Sequence, residues 1–259
     1  MCVITIYPEV PKMGSKKEDA TEEILNFAKS QGITLVGVAD LDLLKSLSSF
    51  GGVRLNDFKR AISMAIALPS VAIEEISSDD PGILYAWSYK TANVFLDETA
   101  LKVAAYITAK GYKSQVIPAS LRIDLQKQIG HVSHKAIAWA AGLGWIGRNG
   151  LLINPEFGSR IRLVTVLTDM PLKAGAPIDN KCGDCKLCVQ LCPSQALNYV
   201  AFETRPATRE EIFTPAKCAA RLSKNKENFM KNPAVGDVAV AICGYCIKVC
   251  PYGKARPKR

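Results

Sequence analysis

The chain has 259 residues, 33 Lys plus Arg against 24 Asp plus Glu, a formal net charge of +9 and 48% hydrophobic residues. That apolar content with ordinary charge excludes disorder over most of the chain, and the length allows one or two domains. No apolar run reaches the ~18–20 residues that span a bilayer, and Met1-Cys2-Val3-Ile4-Thr5 lacks the basic segment of a secretory signal, so a reducing, low-oxygen cytoplasm is expected.

In chain order, Glu18 to Gln31 predicts an amphipathic helix with Ile24, Leu25, Phe27 and Ala28 on one side and Gly32 as its stop. Ile33 to Ala39 follows as a strand. Ala61 to Leu68 is a second apolar strand ended by Pro69, so the run from Ala61 to Ile73 reads as a buried strand plus a turn. Tyr85 to Lys110 predicts a long helix stopped by Gly111, and Tyr112 to Ile117 another strand. Ser133 to Ala141 is a short helix capped by Ser133. Leu151 to Asn154 and Arg160 to Thr168 read as a hairpin joined through Pro155 and Gly158. Strands interleaved with helices but ending in a hairpin predict an α+β sandwich rather than a purely parallel sheet. Met170 to Pro177, rich in Pro, Gly and Ala, marks the boundary between residues 1–172 and 178–259.

Gly142-Leu143-Gly144-Trp145-Ile146-Gly147 matches the dinucleotide fingerprint G-x-G-x-x-G. That motif needs a strand before it and a helix after it; here it follows a helix and opens a strand. Its P-loop spacing also fails, because Arg148-Asn149 stands where Lys-Ser/Thr is required. What remains is either a tight turn with Trp145 in the core or a loop slim enough to approach a flat ligand. The chain's two histidines, His131 and His134, lie just ahead of this loop and are the candidates for acid/base chemistry.

Eight of the nine cysteines follow residue 181. Cys182-x-x-Cys185-x-x-Cys188-x-x-x-Cys192-Pro193 is the ligand run of bacterial-type ferredoxins, whose fourth cysteine crosses to the other cluster. Cys243-x-x-Cys246-x-x-x-Cys250-Pro251 repeats it, with Cys218 upstream as its missing first member and 24 residues between Cys218 and Cys243. Two 4Fe–4S clusters are therefore expected, one on Cys182, Cys185, Cys188 and Cys250, the other on Cys218, Cys243, Cys246 and Cys192. Structural zinc prefers paired Cys-x-x-Cys knuckles, and disulfides need an oxidising compartment; neither suits an overlapping triple followed by Cys-Pro. Cys2 reads as a free thiol. Two oxidised clusters would leave a charge of about +5, and the tail Lys254-Ala255-Arg256-Pro257-Lys258-Arg259 reads as a solvated end rather than a nucleic-acid arm.

The segment Ala141 to Ser159, with Thr168-Asp169-Met170-Pro171-Leu172 and both cysteine runs, resembles epoxyqueuosine reductases and, more distantly, reductive dehalogenases. The resemblance implies a nitroreductase-like corrinoid-binding domain followed by a two-cluster ferredoxin domain that feeds electrons to cobalt. It places Gly144, Trp145, Ile146, Gly147 and Asn149 near a cobalamin. On that expectation Gly144→Val weakens corrinoid binding and leaves the clusters intact. Two departures stand out. Epoxyqueuosine reductases carry an aspartate proton donor ahead of the Ala-Gly-Leu-Gly-Trp segment, whereas Gln128 to His134 holds no carboxylate. They also extend into helical repeats that grip tRNA, whereas eight residues follow Pro251. The expectation is a corrinoid-dependent reductase with a different substrate, a small molecule or modified nucleoside, served by a redox partner. Nucleic acid would then require a further subunit. The alternatives are a ferredoxin-type electron donor without corrinoid, or a tRNA-directed reductase that borrows an RNA-binding partner.

Overall fold

The computed structural model describes residues 19–44, 55–125, 127–232 and 239–254; Cys2 and the tail beyond Lys254 lie outside them. The first half is a four-stranded antiparallel sheet of β1 (Leu35–Asp40), β2 (Arg60–Ala67), β3 (Ser114–Ile117) and β6 (Ile161–Thr168), in the order β1-β2-β6-β3. Leu35 pairs with Ala65, Met64 with Val164 and Val116 with Val166.

Strand periodicity sorts the side chains onto two faces. Val38, Ile62, Met64, Val164 and Val166 pack against α1 (Ala20–Ser30) and α3 (Ile83–Ala109). Ala39, Ala61, Ala65, Ile117 and Leu167 pack against α4 (His134–Ala140). The small alanines on this second face let α4 lie close to the sheet, and the result is a helix–sheet–helix sandwich. Asp19 caps α1 by accepting from the Thr21 N–H at 3.2 Å, and Ser133 caps α4 by accepting from Ala136 at 3.3 Å. The α+β character expected from the sequence is present.

The expected hairpin needs correction. β5 (Leu152–Ile153) pairs with β4 (Trp145–Ile146) in a separate two-stranded sheet, while β6 joins the main sheet. Asn154 forces the change of direction: its Oδ1 accepts from the Glu156 and Phe157 N–H groups, and its Nδ2 donates to Leu143 O at 2.7 Å. The stretch from Met170 to Pro177 is no slack linker either. Met170 and Leu172 are buried in the first core, and the Gly175 N–H donates to Val38 O at 2.8 Å.

Short helices carry the second half: α5 (Leu187–Gln190), α6 (Arg209–Ile212), α7 (Pro215–Met230) and α8 (Tyr245–Lys248). α2 (Ser70–Glu74) takes the place of the turn expected after Pro69. Helix α3 unites the halves. Its C-terminal part (Leu96, Ala100, Val103, Ala104, Ile107) covers the sheet, while Tyr85, Ala86 and Ala92 at its start pack with Phe229, Ile242 and Ile247. Lys248 Nζ donates to the carbonyls of Glu74 and Ile76, each at 2.6 Å.

His134 serves this architecture and is not poised as an acid. Its ring spans the Thr165 hydroxyl, 2.8 Å from Nδ1, and Pro118 O, 3.1 Å from Nε2. A carbonyl only accepts, so Nε2 carries the proton and Nδ1 accepts from Thr165. Burial, aided by Arg162, lowers its pKa to about 4, against the smaller opposing pull of Pro118 O. A folded-state pKa below the unfolded ~6.5 makes stability complete above pH ~6.5 and lost progressively as the pH falls toward 4. His134→Gln should flatten that slope in anaerobic denaturant titrations between pH 7 and 5; an unchanged slope would show that His134 protonates freely in the folded state.

Candidate iron–sulfur centres and the cavity beside them

The second half gathers its thiols in two sets. Cys182, Cys185, Cys188 and Cys250 line a cavity of about 330 Å³ together with Arg148, Asn149, Ile153, Pro251 and Tyr252. Cys192, Cys218, Cys243 and Cys246 line a second, larger one of about 980 Å³. Among the described residues no three His, Cys, Asp or Glu side chains close on a point the size of one ion; the thiols surround volumes instead. Cys218, distant from its set in sequence, projects from the first turn of α7, and Asn225 on the same helix donates to Ile242 O at 2.8 Å, beside Cys243.

As free thiols Cys188, Cys218, Cys243, Cys246 and Cys250 would be hard to ionise. Burial first, then the neighbouring thiols, push Cys188 up to about 12 and Cys218 up to about 11. Cys246 is raised well above the ordinary value for the same reasons. Thiolates crowded in this way call for a compensating positive charge, which iron supplies. Backbone donors are ready for sulfur as well: the Ala196 N–H lies 3.3 Å from Cys192 Sγ.

The glycine loop lies against the first thiol set and not at an open face. A Cβ on Gly144 would stand 2.3 Å from Ile153 O, and one on Gly147 would stand 2.3 Å from Ile153 Cδ1. The slimness of the loop is therefore used up by the β4–β5 pairing. Trp145 is wholly buried, edge-on to Tyr252 at 4.8 Å, and clusters with Ile153 and Cys250. Ile146 O accepts from Asn180 Nδ2 at 2.8 Å, and Asn180 Oδ1 in turn accepts from the Cys182 N–H at 2.8 Å. Arg148 donates to Gly183 O and stacks over Tyr199. Asn149 lines both cavities. Because Arg148, Asn149 and Ile153 of this region line the first thiol set, Gly144→Val is expected to disturb that set rather than spare it.

The second cavity reaches past its thiols to residues of the first half that the motifs did not single out, Tyr85 and Tyr89 of α3, Arg122, Lys135 of α4 and Arg162 of β6, and to Arg209 and Phe213 of the second half. Lys135 donates to Gly150 O at 2.5 Å, and burial, then nearby Arg209, lower its pKa to about 8. Burial alone would raise the Tyr89 phenol, but Arg162, 4.2 Å over its ring, brings it below the ordinary value. The signal was available in sequence as isolated cations, Lys135 and Arg162, inside otherwise apolar elements. Neither histidine is among the residues lining these two cavities.

Residues 181–253 match the family model of 4Fe-4S double cluster binding domains, so the chain carries a domain for two 4Fe–4S clusters. It resembles curated epoxyqueuosine reductases; the one from Leadbetterella byssophila is 32% identical over 179 residues, covering 62% of this chain and 55% of that protein. The chain spans about half the length of the curated relatives it matches. Among solved structures, a reductive dehalogenase described in terms of B12-dependent dehalogenation aligns with a TM-score of 0.68 at 22% identity, over 94% of this chain and 33% of that one. An epoxyqueuosine reductase bound to an epoxyqueuosine-modified tRNA stem loop aligns with a TM-score of 0.58 at 21% identity, over 92% and 66% of the two chains. At these identities the structures establish a shared fold.

Gly144→Val should force β5 away from the first thiol set and lower iron from about eight to about four per chain, as read by anaerobic iron and sulfide analysis. Full iron content in the folded variant would show that the loop and the thiols are independent.

Proposed function

We propose that the chain is an iron–sulfur oxidoreductase that works with a corrinoid, resembling epoxyqueuosine reductase but acting on a different substrate. Residues 1–172 would form a nitroreductase-like cofactor domain, and residues 178–259 the electron-transfer domain. The observation that carries the reading is the second cavity, where Cys192, Cys218, Cys243 and Cys246 share one space with Tyr85, Tyr89, Lys135 and Arg162 of the first half. An electron acceptor in that space would lie directly beside a cluster.

The residues present fit both groups. Two sets of four thiols suit two cubanes, each held by four cysteines. The larger cavity, with the rings of Tyr85, Tyr89 and Phe213 among its lining, suits a flat ring better than the closed glycine loop does. When bound, the clusters would supply electrons singly and a corrinoid would supply a cobalt nucleophile. The chain's own residues exclude water through Leu151, Leu222 and Ile247, orient the acceptor against the tyrosines, and hold protons at Lys135 Nζ and Tyr89 Oη. These two groups take over the proton-donating role that Gln128 to His134 lacks a carboxylate to perform. An external redox partner would refill the clusters.

Anaerobically purified protein should contain about eight iron and eight sulfide, and cobalamin titrated into it should bind saturably. Zinc in place of iron, without a reducible chromophore, would overturn the cluster reading. Full clusters without saturable cobalamin binding would replace the corrinoid reading with that of a ferredoxin-type donor. Reduction of epoxyqueuosine-modified tRNA at a rate matching the longer relatives would overturn the claim of a different substrate.

A further inference from the structure

Helix α3 carries two apolar faces, and the fold covers one of them. Leu96, Ala100, Val103, Ala104 and Ile107 are buried against the sheet, whereas Leu84, Trp87, Val94 and Leu101 on the opposite side are between 47% and 65% exposed. Their spacing lines them up along the helix as a single stripe. The other long helices turn polar residues outward: Glu22, Asn26 and Lys29 on α1, and Lys217, Lys224 and Lys226 on α7. A helix that is apolar all round is ordinarily a buried one. None of the four stripe residues lines either cavity.

The stripe is symmetric about Val94. Trp87 and Leu101 stand seven residues to either side of it, and Lys90 and Glu98, both exposed, stand four residues to either side. Positions four and seven apart share one face of a helix. Lys90 Nζ lies 5.6 Å over the Trp87 ring, so its charge sits on the stripe. A two-fold axis at Val94 relating antiparallel helices would set Trp87 against Leu101 of the second copy and Lys90 against Glu98 of the second copy. Each contact would then occur twice. A parallel pairing would instead oppose lysine to lysine and glutamate to glutamate, which is unfavourable. The stripe is complementary to itself in both shape and charge, which favours a second copy over an unrelated surface.

We infer that the chain forms a two-fold homodimer through the outer face of α3, with the two helices antiparallel and meeting at Val94. The inference stands apart from the corrinoid reading, since it uses no residue of the cavities. One consequence reaches the recess all the same. Tyr85 and Tyr89 belong to this helix, so the contact braces the wall that they form.

Sedimentation of the cluster-loaded chain at micromolar concentrations, under anaerobic conditions, tests it. Wild-type protein should sediment at twice the 28.1 kDa mass of one chain. Leu101→Glu puts a charge on the apolar stripe and should raise the dissociation constant at least roughly ten-fold. Lys90→Glu should weaken the dimer by opposing carboxylates, and the double variant Lys90→Glu with Glu98→Lys should restore it. Iron should stay at about eight per chain in each variant, which separates association from folding and from cluster loading. A monomeric wild-type chain would overturn the inference, whichever other segment or protein then covers the stripe, and that measurement needs no variant. A dimer that persists unweakened in Leu101→Glu would overturn it too, and a double variant that fails to recover what Lys90→Glu loses would overturn the antiparallel register.

Discussion

Each set of four thiols draws on both cysteine runs, and that exchange governs the second half of the molecule. Cys250 joins Cys182, Cys185 and Cys188, while Cys192 joins Cys218, Cys243 and Cys246. The segment that begins at Lys181 must therefore return alongside the segment that ends at Tyr252, and the Tyr252 hydroxyl donates to Lys181 O at 2.8 Å. Everything between them, including α6 and α7, is a long excursion fixed at both ends. The first half is fastened to the same point. A Cβ on Gly158 would stand 2.1 Å from Tyr252 O, and one on Gly253 would stand 2.1 Å from Phe157 O, so two backbones touch just after Cys250-Pro251. Both glycines have positive φ, which makes substitution strained as well as crowded.

The two cavities differ in what surrounds them. The first is small and closed by Trp145, Ile153 and Tyr252, so the β4–β5 loop acts as its floor. The second continues into a recess walled by α3, α4 and β6, where cations and phenols meet the thiols. Asn149 borders both, with its Oδ1 accepting from the Leu151 N–H and its Nδ2 donating to Ser159. On the proposed reading, an acceptor would lie beside the second thiol set, where the recess continues into the first half.

Local chemistry made much of this legible in the sequence. The cap at Ser133, stops at Gly32 and Gly111, and the apolar periodicity of α1, α3 and β6 placed most elements of the sandwich. The cysteine spacing pointed to the cluster domain before any coordinates. What the sequence did not reveal depends on long-range packing. The residues of the glycine loop favour a tight turn with Trp145 in the core, the family resemblance a cofactor seat, and Ile153 filling the space bears out the turn. The hairpin reading of β5 and β6 failed because Asn154, a polar side chain satisfying two N–H groups and a distant carbonyl, redirects the chain. The cavity cations Arg122, Lys135, Arg162, Arg209 and Arg221 come from five separate segments, and no spacing rule unites them.

The exchange of fourth cysteines is tested most directly by a double substitution read out as iron content. Cys218→Ala and Cys192→Ala should each remove one cluster, leaving about four iron per chain. If Cys192 serves the same cluster as Cys218, despite lying four residues from Cys188, the double variant should also keep about four iron and the electron paramagnetic resonance signal of a single reduced cluster. A double variant stripped of all its iron, with each single variant retaining half, would place Cys192 on the other cluster and contradict the account.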